Sequence, residues 1–277
     1  MIPTFNRPYK TKTAVQSVLE QTKAVDEIIV VDDGSTGESI DFKHPCVRVV
    51  RTTQNRGVSA ARNLGIRLAQ SEWIGLLDSD DTWKPSKWKN QLAALKTDKT
   101  ILFSHTNETW IRDGKFVNKM KKHQKFGGWI YEKCLPLCAM SPSSVVMHTS
   151  LIQDIGTFDE TLPACEDYDY WLRVTSRYPV HYLNSEEITK TGGHSDQLSK
   201  KHWGMDRFRI VALEKQLKNK KLIPKHQKKT LEVLLKKLSV LENGARKRGS
   251  LQHEFFREKR QHWSSTNQDS RMEHLRQ

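Results

Sequence analysis

The sequence predicts an α/β fold followed by a basic helical extension, and three features support this prediction. Apolar segments of strand length alternate with amphipathic helical segments over about the first 95 residues, a pattern typical of parallel βαβ units. Acidic residues directly follow two of the predicted strands. Residues 201–277 combine helical periodicity with 20 of the 46 Lys and Arg residues.

The elements of the first part follow each other as expected for half of a Rossmann-like sheet. Strands are predicted at 27–31, 46–50 and 73–77, and helices at 11–20 and 59–69, the second capped by Ser59. Only Met1 and Ile2 precede Pro3, whereas a central parallel strand needs about five residues. The first strand is therefore either very short or begins upstream of Met1.

Beyond residue 98, the regular alternation of strands with helices ends. Alternation predicts strands at 100–110 and 143–148, with a hairpin turn at 112–115 between polar flanks. A short helix is predicted at 151–155 and ends at Gly156.

The strand at 73–77 ends in Asp78-Ser79-Asp80-Asp81, which places three carboxylates within four residues. Ligands of parallel sheets bind just outside the carboxyl ends of the strands. Neighbouring acids repel one another unless a cation or several donors compensate them. Hard oxygen ligands of this kind suit Mg2+ or Mn2+ bound together with substrate phosphates. The alternative interpretation is an acidic turn that caps the following helix.

Three further segments are expected at the same edge of the sheet. Pro3-Thr4-Phe5-Asn6 and Asp32-Asp33-Gly34-Ser35 each follow a strand, and the segment 55–63 brings Arg56 and Arg62 near a helix start. Helix N-termini and arginines both attract phosphate. With the acid segment, four such segments in this order indicate a nucleotide-diphosphate site.

Composition excludes several classes of protein. No apolar run approaches the roughly 18–20 residues of a membrane span, and no signal peptide opens the sequence. The four cysteines show no zinc-site spacing and are predicted to be reduced thiols in a cytosolic protein. Residues 201–277 carry 20 Lys and Arg against 8 Asp and Glu, out of a net charge of +14. Because the charge is confined to this part, a uniformly basic nucleic-acid-binding body is excluded.

Six sequence words, in order, resemble family 2 glycosyltransferases of the GT-A fold: IPTFNR, VVDDGST, NRGVSAARNLGI, LLDSDD, GTFDETL and EDYDYWLR. The resemblance covers roughly residues 1–200. It implies a GT-A glycosyltransferase domain at 1–200, with a nucleotide-binding half at 1–98 and an acceptor and catalytic half at 99–200. Residues 201–277 would then form the basic helical extension.

The resemblance implies a role for each matching residue of the nucleotide-binding half. Base and ribose would be contacted by Pro3, Thr4, Phe5 and Asp33, of which Asp33 would hydrogen-bond the base, commonly uracil. Arg62 would contact the nucleotide or its diphosphate. Asp80 or Asp81 would bind the metal directly, while Asp78 would contact ribose or support the site. Asp32 is interpreted instead as a turn-forming residue before Gly34.

Inverting transfer needs a base that takes the proton of the acceptor hydroxyl as its oxygen attacks the anomeric carbon. The resemblance assigns this role to Asp167 and a substrate contact to Glu166, while Asp169 is expected to be structural. Without the resemblance, these acids would be interpreted as a helix start favoured by the macrodipole. His194 would complete the metal site or contact the diphosphate; the alternative is a solvated loop histidine.

Two amphipathic helices are predicted in the basic extension, at 207–217 and 228–241, separated by Pro224. Their apolar faces would pack on the catalytic domain or a second subunit. The alternative is a membrane-surface element attracted to anionic lipid. Residues 243–277 are expected to be weakly ordered or peripheral.

The sequence therefore predicts an inverting, Mn2+- or Mg2+-dependent glycosyltransferase that moves a sugar, UDP-linked by preference, to a hydroxyl acceptor in cell-envelope polysaccharide or O-antigen-type synthesis. The acceptor would be a glycan, a lipid-linked saccharide or another hydroxyl compound. The expected location is the cytoplasm, which allows peripheral contact at the inner face of the membrane. A homo-oligomer is compatible with the sequence. A sugar nucleotidyltransferase is disfavoured because the first loop is not glycine-rich. The remaining alternative is a non-catalytic protein that binds nucleotide or, through its basic tail, nucleic acid or an anionic surface.

Overall fold

A computed structural model of the chain describes residues 1–193 and 201–274. The strands in these ranges are β1 (Ile2–Thr4), β2 (Ile28–Asp32), β3 (Val47–Arg51), β4 (Trp73–Gly75), β5 (Thr82–Trp83), β6 (Phe103–Arg112), β7 (Lys115–Phe116), β8 (Val146–His148) and β9 (His181–Gly192). The helices are α1 (Pro8–Leu19), α2 (Val58–Leu68), α3 (Lys87–Thr97), α4 (Tyr131–Cys134), α5 (Ser150–Ile155), α6 (Glu166–Thr175), α7 (Asp206–Lys218), α8 (Pro224–Lys247) and α9 (Gln252–His274). Short 3-10 turns lie at Lys121–His123 and Pro142–Ser144.

The first sheet is parallel, with the strand order β1-β2-β3. All five residues of β2 are buried, because helices α1 and α2 pack on the strands of this sheet. The acids at 32 and 33 therefore lie at the carboxyl end of a fully buried strand, as the sequence predicts.

The second sheet is mixed and has the order β4-β8-β6-β9-β5, with β7 paired to β6. Backbone hydrogen bonds join it to the first sheet, since Met1 donates to the carbonyl of Gly75 at 2.7 Å and accepts from Leu77 at 3.1 Å. This alternation is the pattern of parallel neighbours. The Asp78 loop that follows is thereby brought beside the loop after β1.

Most predicted elements are confirmed to within a few residues, including the hairpin turn, where Asp113 and Gly114 adopt positive φ angles of 50° and 75°. The cap assigned to Ser59 is wrong. Helix α2 begins after Gly57, whose φ of 92° carries the chain into the helix, and no side chain caps it. Only glycine adopts such a φ without steric cost.

The C-terminal helices pack on the preceding part of the chain, as the first interpretation of the extension predicts. Leu234 and Leu238 of α8 are fully buried in one apolar cluster with Tyr168 and Trp171 of α6. The sequence predicts that residues 243–277 are weakly ordered or peripheral. They are helical in the described part, since α8 continues to Lys247 and α9 follows it. Among the α9 side chains that the structure describes, Phe256 alone is buried, so the helix is peripheral. Among the described residues, no helix is both long and apolar enough to cross a membrane.

Candidate active site

Two loops meet at the edge of the first sheet through the side chain of Asn6. Its backbone N–H donates to the Ser35 hydroxyl at 2.8 Å, and its side-chain oxygen accepts from the Thr36 N–H at 2.9 Å. Pro3 and Thr4 are buried, whereas Phe5 is 40% exposed. Of the three residues expected to surround a base, Phe5 is thus the one whose side chain faces solvent.

Asp33 holds the segment that leads into α2. Its buried carboxylate accepts from the backbone N–H of Arg56 at 3.1 Å and of Gly57 at 2.7 Å. Gly34 allows the close approach of the two segments, since a Cβ at this position would lie 2.5 Å from the backbone carbon of Gln54. Asp32 accepts from the N–H of Ser35 at 3.0 Å, which agrees with the turn-forming role predicted for it.

Arg62 connects the acid loop to helix α6. The guanidinium donates to Asp78 at 2.7 Å and to Glu166 at 2.6 Å, although these residues are far apart in sequence. Burial lowers the pKa of Arg62, but the attraction of the two carboxylates outweighs it, and the net pKa lies above its ordinary value. A buried cation with two carboxylate partners stays charged and fixes both partners in position.

Asp81 anchors the acid loop from below. Its oxygens accept from the Ser143 hydroxyl at 2.6 Å and from the Thr191 N–H of β9 at 2.9 Å. Ser143 also accepts from the backbone N–H of Asp78 at 3.0 Å. Burial raises the pKa of Asp81 to about 8, against the opposing charge of Lys190 and with the repulsion of the neighbouring acids. The loop is therefore held at both ends by a single serine.

Asp80 pairs with Arg7 at 2.9 Å. Its side chain is 13% exposed, compared with 27% for that of Asp78. No three His, Cys, Asp or Glu side chains converge as a metal site in the part of the chain that the structure describes. The donor set nevertheless suits Mg2+ or Mn2+, because both ions bind through one or two carboxylates and take their remaining oxygens from phosphate and water. His194 lies outside the described residues.

Helix α6 begins with the two acids that the sequence assigns to catalysis. Cys165 precedes it in a left-handed conformation, with a φ of 62°, which is strained for a residue other than glycine and is often found at functional sites. Glu166 is buried, and its pKa is raised by burial and by Asp167 despite the opposing charge of Arg62. Asp167 accepts from the N–H of Tyr168 at 2.7 Å and from the Cys138 thiol at 3.2 Å.

The Cys138 thiol stays protonated beside this carboxylate. Burial raises its pKa well above the ordinary value, and the negative charge of Asp167 adds to the rise. The Met140 carbonyl oxygen lies equally close to the thiol, at 3.2 Å, so the Asp167 carboxylate shares this donor with a backbone acceptor. Asp169 is fully buried and pairs with Arg173 at 3.0 Å and with Lys215 at 2.7 Å, in agreement with the structural role expected for it.

Asn63 joins the loop before α6 to helix α2. Its side-chain amide donates to the carbonyl of Phe158 and accepts from the N–H of the same residue, both at 2.9 Å. The Asn63 amide also donates to Glu160, which pairs with Arg56 at 2.9 Å. The segments with the sequences NRGVSAARN and GTFDETL therefore contact each other.

Four residues of this site were missed by the sequence analysis: Arg7, Cys138, Ser143 and Lys190. Arg7 stands within the IPTFNR word and could have been assigned from its charge beside the nucleotide loop. The other three lie where the resemblance is weakest or carries no motif. Lys190 faces the acids from β9, and their charges, together with that of Glu108, raise its pKa against the effect of burial.

A buried ion pair lies next to the segment 139–144. Glu108 of β6 lies 3.2 Å from the Lys125 ammonium, and it accepts from Trp110 at 2.8 Å and from the Ser141 hydroxyl. Burial raises the pKa of Glu108, but Lys125, Lys190 and the hydrogen bonds lower it to about 2. The pair thus fixes the segment 139–144, which carries Ser143.

We expect the variant Glu108→Gln to lower the free energy of unfolding at pH 7 by about 3 kcal/mol, because Lys125 would stay buried without its counter-charge. The folded-state pKa lies below the ordinary value of 4.5, so the charged carboxylate stabilises the fold above pH 4.5. This contribution is lost as the pH falls towards 2. Urea unfolding followed by tryptophan fluorescence between pH 7 and pH 3 measures the difference.

The matched control is Glu186→Gln, since Glu186 also pairs with a lysine, Lys119 at 2.9 Å, but is half exposed. Its effect should stay within about 1 kcal/mol at every pH. The free energies of unfolding of Glu108→Gln and the wild type should converge below pH 4.5. If they did not, the carboxylate charge would not be what stabilises this segment.

Comparison with known proteins identifies the family. Residues 1–147 match the family model described as glycosyl transferase family 2. The chain belongs to this family. The GT-A-type α/β fold is confirmed by a solved structure of residues 1–349 of S. aureus TarS in complex with UDP-GlcNAc, which superposes with a TM-score of 0.66 at 18% identity, over 86% of this chain and 70% of that one.

Two curated family members illustrate how the chain compares in length. An uncharacterized glycosyltransferase of Rickettsia bellii is 31% identical over 195 residues, 69% of this chain but 28% of the relative. The E. coli protein WfgD, named UDP-Glc:alpha-D-GlcNAc-diphosphoundecaprenol beta-1,3-glucosyltransferase, is 27% identical over 188 residues, 66% of this chain and 72% of WfgD. The chain spans between 28% and 42% of the length of the rickettsial relatives that it matches.

Proposed function

We propose that this protein is an inverting glycosyltransferase that uses a UDP-sugar donor and a divalent metal. One observation carries the proposal: Arg62 holds Asp78 of the acid loop and Glu166 of α6 on a single guanidinium. Because of this bridge, the loop that would bind the diphosphate and the start of the helix that carries Asp167 are held next to each other. A donor and an acceptor bound there would meet.

In the proposed reaction, Asp167 takes the proton of an acceptor hydroxyl while the hydroxyl oxygen attacks the anomeric carbon of the donor sugar. The new glycosidic bond forms as the bond from the anomeric carbon to the diphosphate oxygen breaks, and the bonding electrons leave with the nucleotide diphosphate. The Tyr168 N–H and the Cys138 thiol hold the Asp167 carboxylate for this step. A single base on the acceptor side gives inversion at the anomeric carbon.

Asp80, together with Asp78, is proposed to hold Mn2+ or Mg2+. A bound metal would supply positive charge to the diphosphate as it leaves. Asp81 is assigned to anchoring rather than to direct metal binding, since both of its oxygens already accept hydrogen bonds from Ser143 and Thr191. The role of His194 at the metal or diphosphate remains a prediction.

The donor base and the acceptor class are inferred from the neighbours in family and fold. The TarS structure was solved with UDP-GlcNAc, and Asp33 and Phe5 lie at the sheet edge where a uracil base would bind. WfgD is named for a GlcNAc-diphosphoundecaprenol acceptor. We therefore favour a lipid-linked saccharide acceptor in cell-envelope glycan synthesis. Cytoplasmic location, the domain boundary at residue 200 and a homo-oligomer stay predictions.

The test is thermal unfolding with UDP, GDP, CDP and dTDP, each with and without Mn2+. A ligand at about 100 times its Kd stabilises the folded state by about 2.7 kcal/mol, which raises the Tm of a chain of this size by several degrees. We expect this shift for UDP with Mn2+ and a much smaller one for the other nucleotides. The variant Asp80→Asn should lose the Mn2+-dependent part.

Asp154→Asn is the matched control, because Asp154 pairs with Arg177 at 2.8 Å on α5, away from the proposed metal ligands. It should respond to UDP and Mn2+ like the wild type. A well-folded protein that no nucleotide stabilises would contradict the donor site and favour the non-catalytic alternative. Stabilisation by another nucleotide alone would contradict only the assignment of uracil.

A further inference from the structure

An exposed apolar and basic surface lies beside the start of α6. Trp203 is 50% exposed, and the guanidinium carbon of Arg207 lies 3.9 Å from the centroid of its ring. The guanidinium of Arg248, at the end of α8, lies 5.8 Å from the same ring. Leu251 and Phe255, one turn apart at the start of α9, are 81% and 54% exposed.

One ion pair joins α7 to α9, since Lys259 donates to Glu214 at 2.7 Å. Trp203 contacts Arg207 and Arg248 at the distances given above. Val211 lies one turn beyond Arg207 in α7, and Leu251 and Phe255 follow Arg248 along the chain. These six residues are called the Trp203 patch: Trp203, Arg207, Val211, Arg248, Leu251 and Phe255.

The patch adjoins the catalytic pair. The Cys165 thiol, directly before Glu166, lies 3.7 Å from the carbonyl oxygen of Met205, two residues beyond Trp203. The Arg209 guanidinium lies 5.9 Å from the ring of Tyr168, which follows Asp167. A surface bound to the Trp203 patch would thus lie next to the cleft that holds the proposed base.

We propose that the Trp203 patch docks the protein on an anionic lipid bilayer, so that a lipid-linked acceptor reaches Asp167 from the membrane surface. The chemistry fits this occupant, since tryptophan and other large apolar side chains enter the interface between headgroups and acyl chains, while arginines pair with lipid phosphates. Residues 201–277 contain 20 basic and 8 acidic residues, and this excess of positive charge adds long-range attraction to an anionic bilayer. The choice of a lipid-linked acceptor rests on the proposed function, whereas the binding to lipid does not.

The experiment is flotation of the full chain with vesicles of phosphatidylglycerol and phosphatidylethanolamine, compared with vesicles of phosphatidylcholine alone. We expect binding to the anionic vesicles that weakens at high salt. The variant Trp203→Ser/Leu251→Ser/Phe255→Ser should lower the vesicle partition coefficient at least about tenfold. Arg207→Gln/Arg248→Gln, which keeps the apolar residues, should lower it by a similar factor because each basic residue contributes to the attraction.

Phe116→Ser is the matched control, because Phe116 is 80% exposed in the β6–β7 hairpin, outside the patch. It should bind vesicles like the wild type, and equal Tm values would establish that all variants are folded. Patch variants that float as well as the wild type would overturn the proposal. The proposal would also be overturned if the wild type did not bind vesicles but formed a dimer that the patch variants abolished. The patch would then be the contact surface for a second copy of the chain.

Activity separates this proposal from the proposed function. If both hold, the patch variants transfer sugar to a water-soluble acceptor at the wild-type rate but lose transfer to a lipid-linked acceptor in vesicles. Vesicle binding without any sugar transfer by the wild type would support the docking surface and contradict the proposed reaction. If the patch variants still transferred sugar to the lipid-linked acceptor, this result would support the reaction and overturn the docking role.

Discussion

Replacing Asp167 with Asn is expected to lower kcat for sugar transfer by about 10³-fold, within the range that a positioned general base contributes. The amide keeps the shape of the carboxylate but cannot accept the proton of the acceptor hydroxyl. Asp167 touches neither Asp33 nor the Asp80 loop in the hydrogen bonds described above. Stabilisation by UDP and Mn2+ should therefore be retained, which thermal unfolding and initial-rate kinetics would establish on the same sample.

A second outcome tests the contact between Asp167 and Cys138. Removing the negative charge of Asp167 should bring the pKa of Cys138 closer to its ordinary value, because that charge contributes to the rise. The thiol of Asp167→Asn should then react faster with a thiol reagent at pH 8 than the wild-type thiol does. Near-normal turnover of Asp167→Asn would contradict the mechanism, whereas loss of UDP binding together with turnover would indicate a disturbed fold.

The fold was largely predictable because its elements are local in sequence. The alternation of strands with helices needs only apolar periodicity and turn residues, and the acids at the ends of β2 and β4 are adjacent to the strands that place them. Helix α9 was not predicted, for the opposite reason. Helix α9 is polar on most of its surface, and contacts such as that of Lys259 with Glu214 cross 45 residues.

The candidate site was predictable in its parts but not in its connections. Asp78, Arg62 and Glu166 each stand in a sequence word with its own meaning, yet no pattern within a word shows that the Arg62 guanidinium joins the other two. The same holds for Ser143, which contacts the acid loop from a segment without a motif. Ion pairs between distant segments depend on tertiary geometry, which periodicity does not encode.

The expected result for Arg62→Met follows from this connection. The variant leaves Asp78 and Glu166 facing each other with no cation between them, and Glu166 is only 5% exposed. Removing one partner of a buried ion pair costs about 4 kcal/mol, which for a chain of this size lowers the Tm by about 10 °C. Urea unfolding and thermal unfolding at pH 7 measure both quantities.

Arg56→Met is the matched control, because Arg56 also pairs with a glutamate, Glu160 at 2.9 Å, but its side chain is 58% exposed. Screening by solvent limits the contribution of such a pair to at most about 1 kcal/mol. If Arg62→Met were no more destabilising than Arg56→Met, the bridge would not hold the two halves of the cleft, and the observation behind the proposed function would lose its weight.

A rescue variant separates the charge of Arg62 from its volume. In Arg62→Met/Asp78→Asn/Glu166→Gln, the carboxylates are neutral and no longer repel each other, so most of the lost stability should return. Transfer should not return, because this variant also removes the carboxylates of Asp78, a proposed metal ligand, and of Glu166, a proposed substrate contact. Recovered stability would show that the cost of Arg62→Met arises from the unpaired buried carboxylates, whereas stability that stays low would assign the cost to the packing of the Arg62 side chain.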